Sequence, residues 1–224
     1  MSPPTQGAPW QWNEENTVEH PIIGWLKTPE MGWRFEYPSA VNELYRQDEV
    51  EVLLLPILRQ KLKDLNPGVI TDDARAEAIV TRLRGIRDNA EWIKWMRNEE
   101  TYKFSAEENA QPIKLVDYES LKNNDFLCTN QFWVDGGDQR IRTDVLLFVN
   151  GIPLVNIEAK TTARDWHVDW TEGARQCGRY RRDAMGTLRR TALFHRRLHS
   201  RRRNAPLDLG AQPARLETLG QGAG

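Results

Sequence analysis

Three charged residues border the most hydrophobic segment of the chain, "TDVLLFVNGIPLVNIEAK", residues 143–160. Asp144 stands near its start, and Glu158 and Lys160 stand at its end. Two carboxylates on neighbouring strands can hold Mg²⁺, which favours one or two carboxylates plus waters and substrate phosphate oxygens. An amine beside them could orient a bound water or stabilise charge that develops on a phosphodiester. The same residues also fit an ordinary strand pair whose charges form a salt bridge at the sheet edge.

The turn between the two apolar runs sets a condition on this site. Asn-Gly at 150–151 predicts a tight hairpin, because both residue types tolerate positive φ. Side chains alternate along a strand, so Glu158 and Lys160 point the same way. A plain two-residue loop in regular register would place Asp144 opposite Ile157 and away from Glu158. The three residues therefore share one face only if the hairpin has a three-residue loop or one bulge.

A second group of polar residues occurs in "EGARQCGRYRRDA", residues 172–184. Gln176 and Tyr180 are four residues apart on a predicted helix and hence on one face, with Glu172 one turn earlier. An amide, a phenol and several guanidinium groups suit contacts to phosphates and bases. A solvated polar helix face is the alternative interpretation. The surrounding arginines are Arg175, Arg179, Arg181 and Arg182.

Two helical segments are predicted before residue 66. The first begins near Asn16 or Thr17, either of which can cap it, and Glu19 lies in its opening turn. The second covers residues 42–65 with a bend at Pro56, because proline removes a backbone donor and clashes with the preceding turn. The apolar stripe of the first helix consists of Val18, Ile22, Trp25 and Leu26.

A long helix, a run of strands and a final helix follow. Thr71 or Asp72 can cap the long helix. Its apolar stripe at helical spacing is Ile79, Leu83, Ile86, Ala90 and Ile93. Strands are predicted at 113–118, 126–134, 144–149 and 153–160, and the final helix at 169–184. This order predicts an α/β (α+β) fold, a mixed sheet flanked by helices.

The composition indicates one domain with appendages, since the chain has 224 residues of which 39% are hydrophobic. No apolar stretch reaches the roughly 18 to 20 residues that cross a bilayer, and the N-terminus lacks a signal-peptide layout. Only Cys128 and Cys177 are present, in no metal-ligand spacing, which fits a reducing compartment. We therefore expect a soluble cytoplasmic protein.

Charge is divided unevenly along the chain. Residues 1–185 carry 23 Lys and Arg against 30 Asp and Glu, whereas residues 186–224 carry 8 Arg against 2 acidic residues. A basic tail of this kind is either a disordered arm that binds DNA or a segment foreign to the domain. We expect residues 1–13 to be loose, residues 14–184 to form the domain, and residues 185–224 to be an Arg-rich tail, disordered or out of frame.

Several segments in order resemble one family. "NNDFLCTNQF", "IRTDVLLFVNGIPLVNIEAK" and "GARQCGRYRRDA", together with "TVEHPIIGWL" and "DLNPGVI", are similar to the N-terminal endonuclease domain of the motor (R) subunit of type I restriction enzymes. The likeness covers roughly residues 14–183. It implies a PD-(D/E)xK nuclease fold that cuts DNA with Mg²⁺.

The resemblance also implies roles for single residues. Asp144 and Glu158 correspond to the metal-binding carboxylates and Lys160 to the catalytic lysine. Glu19 corresponds to an N-terminal glutamate that joins the metal site, with Glu15 as the fallback. The supporting residues that would contact DNA or steady the site are Gln176, Tyr180 and Arg179.

The same resemblance sets expectations for the whole system. The family couples cutting to an ATP-driven translocase and works with methyltransferase and specificity subunits. No G-x-x-x-x-G-K-[ST] phosphate loop occurs in this sequence, so no residue here is assigned to ATP. We expect a truncated R-subunit product. A stand-alone defence or repair nuclease and an inactive docking module are the alternatives.

Overall fold

The computed structural model describes residues 15–135, 140–160, 175 and 194–199. A π-helical turn, Glu15–Glu19, leads directly into the first helix. The helices are α1 His20–Leu26, α2 Pro38–Tyr45, α3 Leu55–Leu65, α4 Asp73–Gly85 and α5 Asn89–Met96, with a short 3₁₀ turn at Leu121–Asn123. The strands are β1 Arg34–Phe35, β2 Thr101–Tyr102, β3 Gln111–Pro112, β4 Phe126–Asp135, β5 Arg140–Val149, β6 Ile152–Lys160 and β7 Phe194–His199.

A mixed sheet with the strand order β1-β4-β5-β6-β7 forms the centre of the fold. Strands β4, β5 and β6 are antiparallel to one another, while β1 runs parallel to β4 and β7 runs parallel to β6. Strands β2 and β3 form a separate two-stranded sheet. Helices together with a mixed sheet confirm the predicted fold class. Strand β7 lies inside the segment that we assigned to the tail.

The helix predicted over residues 42–65 is wrong, because α2 and α3 are separated by nine residues that are not helical. Pro56 lies in the first turn of α3. Backbone N–H groups in a first turn have no acceptor within the helix, so a proline there loses no helical hydrogen bond. The connection is fixed by Asp48, whose carboxylate accepts hydrogen bonds from the backbone N–H groups of Val50 and Glu51, both at 3.0 Å. Proline therefore starts a helix here instead of bending one.

The long helix predicted after Asp72 is two helices, α4 and α5. Asp72 does cap α4, since its carboxylate accepts from Arg75 N–H at 2.9 Å. Asp88 then caps α5 by accepting from Ala90 N–H at 3.2 Å. The apolar periodicity continued across this break, but Ile93 is 42% exposed. A capping aspartate thus outweighs a continuing apolar stripe.

The sheet is covered on both faces by apolar side chains. On one face, α1 and the turn before it pack on β5 and β6 through Val18, Ile22, Ile23 and Leu26, whereas Trp25 is 42% exposed. On the other face, residues of α2 and of the segment before α3 pack on β4 and β5. A third apolar cluster joins α3, α4 and α5. The segment 113–118, predicted as a strand, has no strand assignment, but its Ile113, Leu115 and Val116 are buried in that cluster.

No helix in the part of the chain that the structure describes is both long enough and apolar enough to cross a membrane.

Candidate active site

The β5–β6 hairpin turns through two residues only. Asn150 and Gly151 have φ values of +53° and +79°, and the flanking Val149 pairs with Ile152. Two consecutive positive φ angles are typical of the tight hairpin turns that Asn-Gly favours. Of the two predicted solutions, a three-residue loop or one bulge, the three-residue loop is therefore not the one present.

A bulge in β6 supplies the extra residue instead. Phe148 pairs with Pro153, but Leu147 pairs with Val155, so Leu154 has no partner of its own. Beyond the bulge Val145 pairs with Ile157, and one further step in this register places Asp144 opposite Glu158. Directly opposed residues of antiparallel strands lie on the same face. The condition derived from side-chain alternation is thus met by the bulge, the second of its two solutions.

Asp144 and Glu158 are both buried, with exposed fractions of 6% and 0%. The Asp144 carboxylate reaches across to β6, where its Oδ2 accepts a hydrogen bond from Ala159 N–H at 2.7 Å. This contact anchors the Asp144 side chain to the strand that carries Glu158. Two acidic side chains are therefore held inside the protein at the same end of the hairpin.

Glu19 approaches this end of the sheet from the turn before α1. Its side chain is 2% exposed, and both of its carboxylate oxygens accept from Gln131 Nε2, at 2.8 and 2.9 Å. Asn130 Nδ2 is 3.5 Å from Oε2. Burial raises the pKa of Glu19 to about 7, the Gln131 hydrogen bond opposes that shift, and the nearby Asp144 charge adds to it. The structure therefore brings Glu19 close to Asp144.

Glu15, the fallback for Glu19, occupies a different environment. It is exposed, and its carboxylate pairs with His20 Nε2 at 3.5 Å. Of the two glutamates, Glu19 is the one that faces the buried carboxylates.

The other predicted site residues are only partly covered by the structure. Lys160 is the last residue of β6, two positions after Glu158, and its side chain is not described. Gln176, Arg179 and Tyr180 lie outside the described residues, as does the predicted helix 169–184 apart from Arg175, which is helical. Their roles stay predictions.

The described residues include no group of three or more His, Cys, Asp or Glu side chains arranged to hold a metal ion. A Mg²⁺ site requires fewer, since one or two carboxylates are its usual protein ligands. Asp144 and Glu158 provide such a pair of hard oxygen donors, and burial raises the pKa of the neighbouring Glu19 to about 7. The donor chemistry thus suits a small divalent cation.

Gln131 is a site residue that we did not predict, although it lies in the quoted segment "TNQF". Its residue type alone does not mark it as a site residue, because the strand irregularity that positions it is visible only in the packing of β4. Leu127 and Phe132 both pack in the same apolar cluster, but they are an odd number of residues apart, which regular alternation forbids. The strand must break between them, and it does so at Gln131, whose φ is +49°.

Comparison with known proteins identifies the family of this chain. A family model described as the N terminus of the type I restriction enzyme R protein matches residues 11–197. The chain belongs to this family. The match continues past residue 185 into the segment that we assigned to the tail, and the position at which the domain ends stays a prediction.

Two curated relatives illustrate how much of a family member is present. The type I restriction enzyme HindI endonuclease subunit of Haemophilus influenzae is 28% identical over 163 residues, which cover 67% of this chain and 15% of that protein. A protein of Methanocaldococcus jannaschii, provisionally named as the type I restriction enzyme MjaIXP endonuclease subunit, is 28% identical over 173 residues, 68% of this chain and 16% of that protein. The chain thus matches about a sixth of the length of these relatives.

Proposed function

We propose that this chain carries the DNA-cleaving site of a type I restriction enzyme and hydrolyses phosphodiester bonds with Mg²⁺. The observation that carries the proposal is the bulge at Leu154, which sets Asp144 opposite Glu158 in the register. Without it the two carboxylates would lie on opposite faces of the sheet. Family membership supports the same assignment.

Asp144 and Glu158 would hold the ion, and Glu19 would add negative charge beside them. All three are buried carboxylates, and carboxylate oxygens are hard donors of the kind that Mg²⁺ prefers. When bound, Mg²⁺ supplies a water of lowered pKa and neutralises charge on the phosphodiester. The Ala159 N–H keeps the Asp144 carboxylate turned toward β6, so the ligands are fixed before any substrate arrives.

The remaining site residues would act on water and DNA. Lys160, at the end of β6, would orient the attacking water or stabilise negative charge in the transition state. Gln176, Tyr180 and Arg179 would contact the phosphate backbone or steady the site. All four assignments rest on the resemblance and on the order of these residues in the sequence.

Cleavage would normally occur in a larger assembly. The relatives are named as endonuclease subunits of type I restriction enzymes, and we infer that this domain works beside an ATP-driven translocase, a specificity subunit and methyltransferase subunits. Residues 1–185 are net acidic, whereas DNA binding without help usually requires a basic surface. We therefore expect weak cutting, indifferent to sequence, from this chain alone.

The test is relaxation of a supercoiled plasmid in Mg²⁺, with this chain alone and with the other subunits added. Asp144→Ala, Glu158→Ala and Lys160→Ala should each reduce cleavage by 100-fold or more, on the order of the effect of removing a main electrostatic group from an active site. EDTA should abolish it. Asp64→Ala, which removes an exposed carboxylate on α3, is the matched control and should cut like the natural chain.

Two results would contradict the proposal. Cleavage that survives Asp144→Ala and Glu158→Ala would place the chemistry elsewhere. If the natural chain cuts under none of these conditions, including in the full assembly, the domain is a docking module instead of a nuclease.

A further inference from the structure

Gln131 breaks the regular geometry of β4 at the level of the site. The neighbouring pairs are Asn130 with Val145 and Phe132 with Thr143, so Gln131 stands opposite Asp144. Its φ of +49° lies in the left-handed region, where a residue with a side chain costs roughly 1–2 kcal/mol. A non-glycine residue held in this conformation calls for a reason in the surrounding structure.

The side chain of Gln131 supplies that reason. Its Nε2 donates to both oxygens of Glu19, at 2.8 and 2.9 Å, although Glu19 belongs to the other end of the described chain. Asn130 adds only a long contact of 3.5 Å. Glu19 makes no ion pair with any described residue, so this amide is its main partner within the described part of the protein.

The placement matters because Glu19 and Asp144 repel each other. Two carboxylates in a water-poor region separate unless a donor fixes one of them, and a residue of the turn before α1 has other rotamers open to it. A neutral amide can hold the carboxylate without cancelling its charge, whereas a lysine or arginine would neutralise the negative charge that attracts a cation. Glutamine is suited to positioning a carboxylate beside a metal site without competing for the ion.

We propose that Gln131 is a positioning residue, whose amide holds the Glu19 carboxylate beside Asp144. The left-handed backbone of Gln131 is what turns that amide toward Glu19. The hydrogen bond itself is independent of catalysis, but its importance for cleavage rests on the proposed function.

The first test needs no metal and no DNA. Side-chain amide signals of Gln131 are followed in ¹⁵N NMR spectra of the full chain. Glu19→Ala should move them strongly, because their acceptor is lost. Gln60 is the internal control, since its Nε2 donates to Asp64 at 2.8 Å on the exposed face of α3, and its signals should stay in place. If the Gln131 signals do not move, the hydrogen bond from Gln131 to Glu19 does not exist.

The second test measures metal binding by calorimetry in a double-mutant cycle. Mn²⁺ is the probe, because carboxylate ligands suit it as they suit Mg²⁺. Gln131→Gly keeps the left-handed backbone accessible and removes the whole side chain with its amide, so it should weaken Mn²⁺ binding about 10-fold or more. Glu19→Gln should weaken it at least as much. The double variant should bind no worse than Glu19→Gln alone, because Gln131 acts through Glu19. A merely structural role would not give this non-additivity.

The outcomes separate this inference from the proposed function. Unchanged Mn²⁺ affinity in Gln131→Gly, or effects that multiply in the double variant, would overturn the positioning role. Gln60→Ala is the matched control and should leave affinity unchanged. A natural chain that binds no Mn²⁺ would refute the metal site, and the NMR test would still decide whether Gln131 holds Glu19.

Discussion

The two ends of the β5–β6 hairpin bury polar groups in opposite ways. At the turn end, Asn150 is fully buried and its amide is satisfied: Oδ1 accepts from Asp125 N–H at 2.7 Å, and Nδ2 donates to Leu115 O and Asn124 Oδ1, at 2.7 and 2.9 Å. At the other end, Asp144 and Glu158 are buried carboxylates, and Glu19 beside them has a pKa of about 7.

This difference separates a structural role at the turn end from the proposed metal-binding role at the acidic end. Neutral amides with all partners in place fix a turn at little electrostatic cost. Buried like charges cost free energy, and such costs concentrate at functional sites. The turn end therefore holds the hairpin rigid, and the other end presents its acidic groups. Changes at the turn end should mainly affect folding, while changes at the acidic end should affect ion binding and cleavage.

Gly151→Ala should be the most damaging change at the turn end. A Cβ there would lie 2.6 Å from Leu54 O and 3.0 Å from Leu58 N, and φ is +79°. Both contacts are to backbone, which has little room to yield. We expect a loss of roughly 3–5 kcal/mol in the free energy of unfolding, measured in urea.

Two further glycines separate the causes of that loss. Gly68 has φ of +83° but open space around its Cβ, so Gly68→Ala should cost only the strain of roughly 1–2 kcal/mol. Gly85, at the end of α4, has neither a positive φ nor a close neighbour, and Gly85→Ala should be neutral or slightly stabilising. A loss in Gly151→Ala no larger than that in Gly68→Ala would show that the turn is not tightly packed on α3.

Asn124→Ala should have the next largest effect. Its Oδ1 accepts from Asp117 N–H at 2.8 Å and from Asn150 Nδ2 at 2.9 Å, so truncation leaves buried donors without acceptors. We expect a loss of about 2–3 kcal/mol in unfolding free energy with cleavage preserved. Gln60→Ala removes an exposed amide and should change stability by about 0.5 kcal/mol or less. Equal losses of unfolding free energy in both variants would contradict the buried hydrogen bonds of Asn124.

Glu19→Gln should raise the free energy of unfolding above pH 7, whereas the changes at the turn end lower it. The pKa of Glu19 is about 7 in the folded chain against an ordinary value of 4.5, so the folded state keeps a proton that the unfolded state releases. Unfolding free energy, measured without metal, should therefore fall as pH rises between these two values and level off above them. Glu19→Gln should remove this dependence and be more stable above pH 7, by about 1–2 kcal/mol. A pH profile identical to that of the natural chain would refute the raised pKa.

Asp144→Asn should give the smallest of these effects, a downward shift in the pKa of Glu19 in the metal-free chain. Burial is the main cause of the raised pKa of Glu19, and the Asp144 charge contributes less. Removing that charge should lower the pKa of Glu19 but leave it above its ordinary value, as followed by ¹³C NMR of the Glu19 carboxyl. An unchanged pKa would show that the two carboxylates are not neighbours.

The sequence predicted the sheet better than the helices. The runs over 126–134, 144–149 and 153–160 are strands β4, β5 and β6, because long β-branched and aromatic runs have few other ways to bury their side chains. The predicted helix boundaries were wrong where one residue is compatible with either the interior or the start of a helix. Pro56 and Asp88 each begin a helix that the apolar periodicity had made continuous.

For the candidate site, the sequence determined which residue types are present, and the tertiary structure decided their geometry. The acidic residues, the Asn-Gly turn and the need for one extra residue in the hairpin all followed from residue types and strand alternation. That the extra residue is Leu154, and that Gln131 reaches Glu19, followed only from how β4, β5 and β6 pair and where the turn before α1 packs. Local preferences constrain each strand by itself, whereas the position of a bulge depends on the contacts of both of its neighbours.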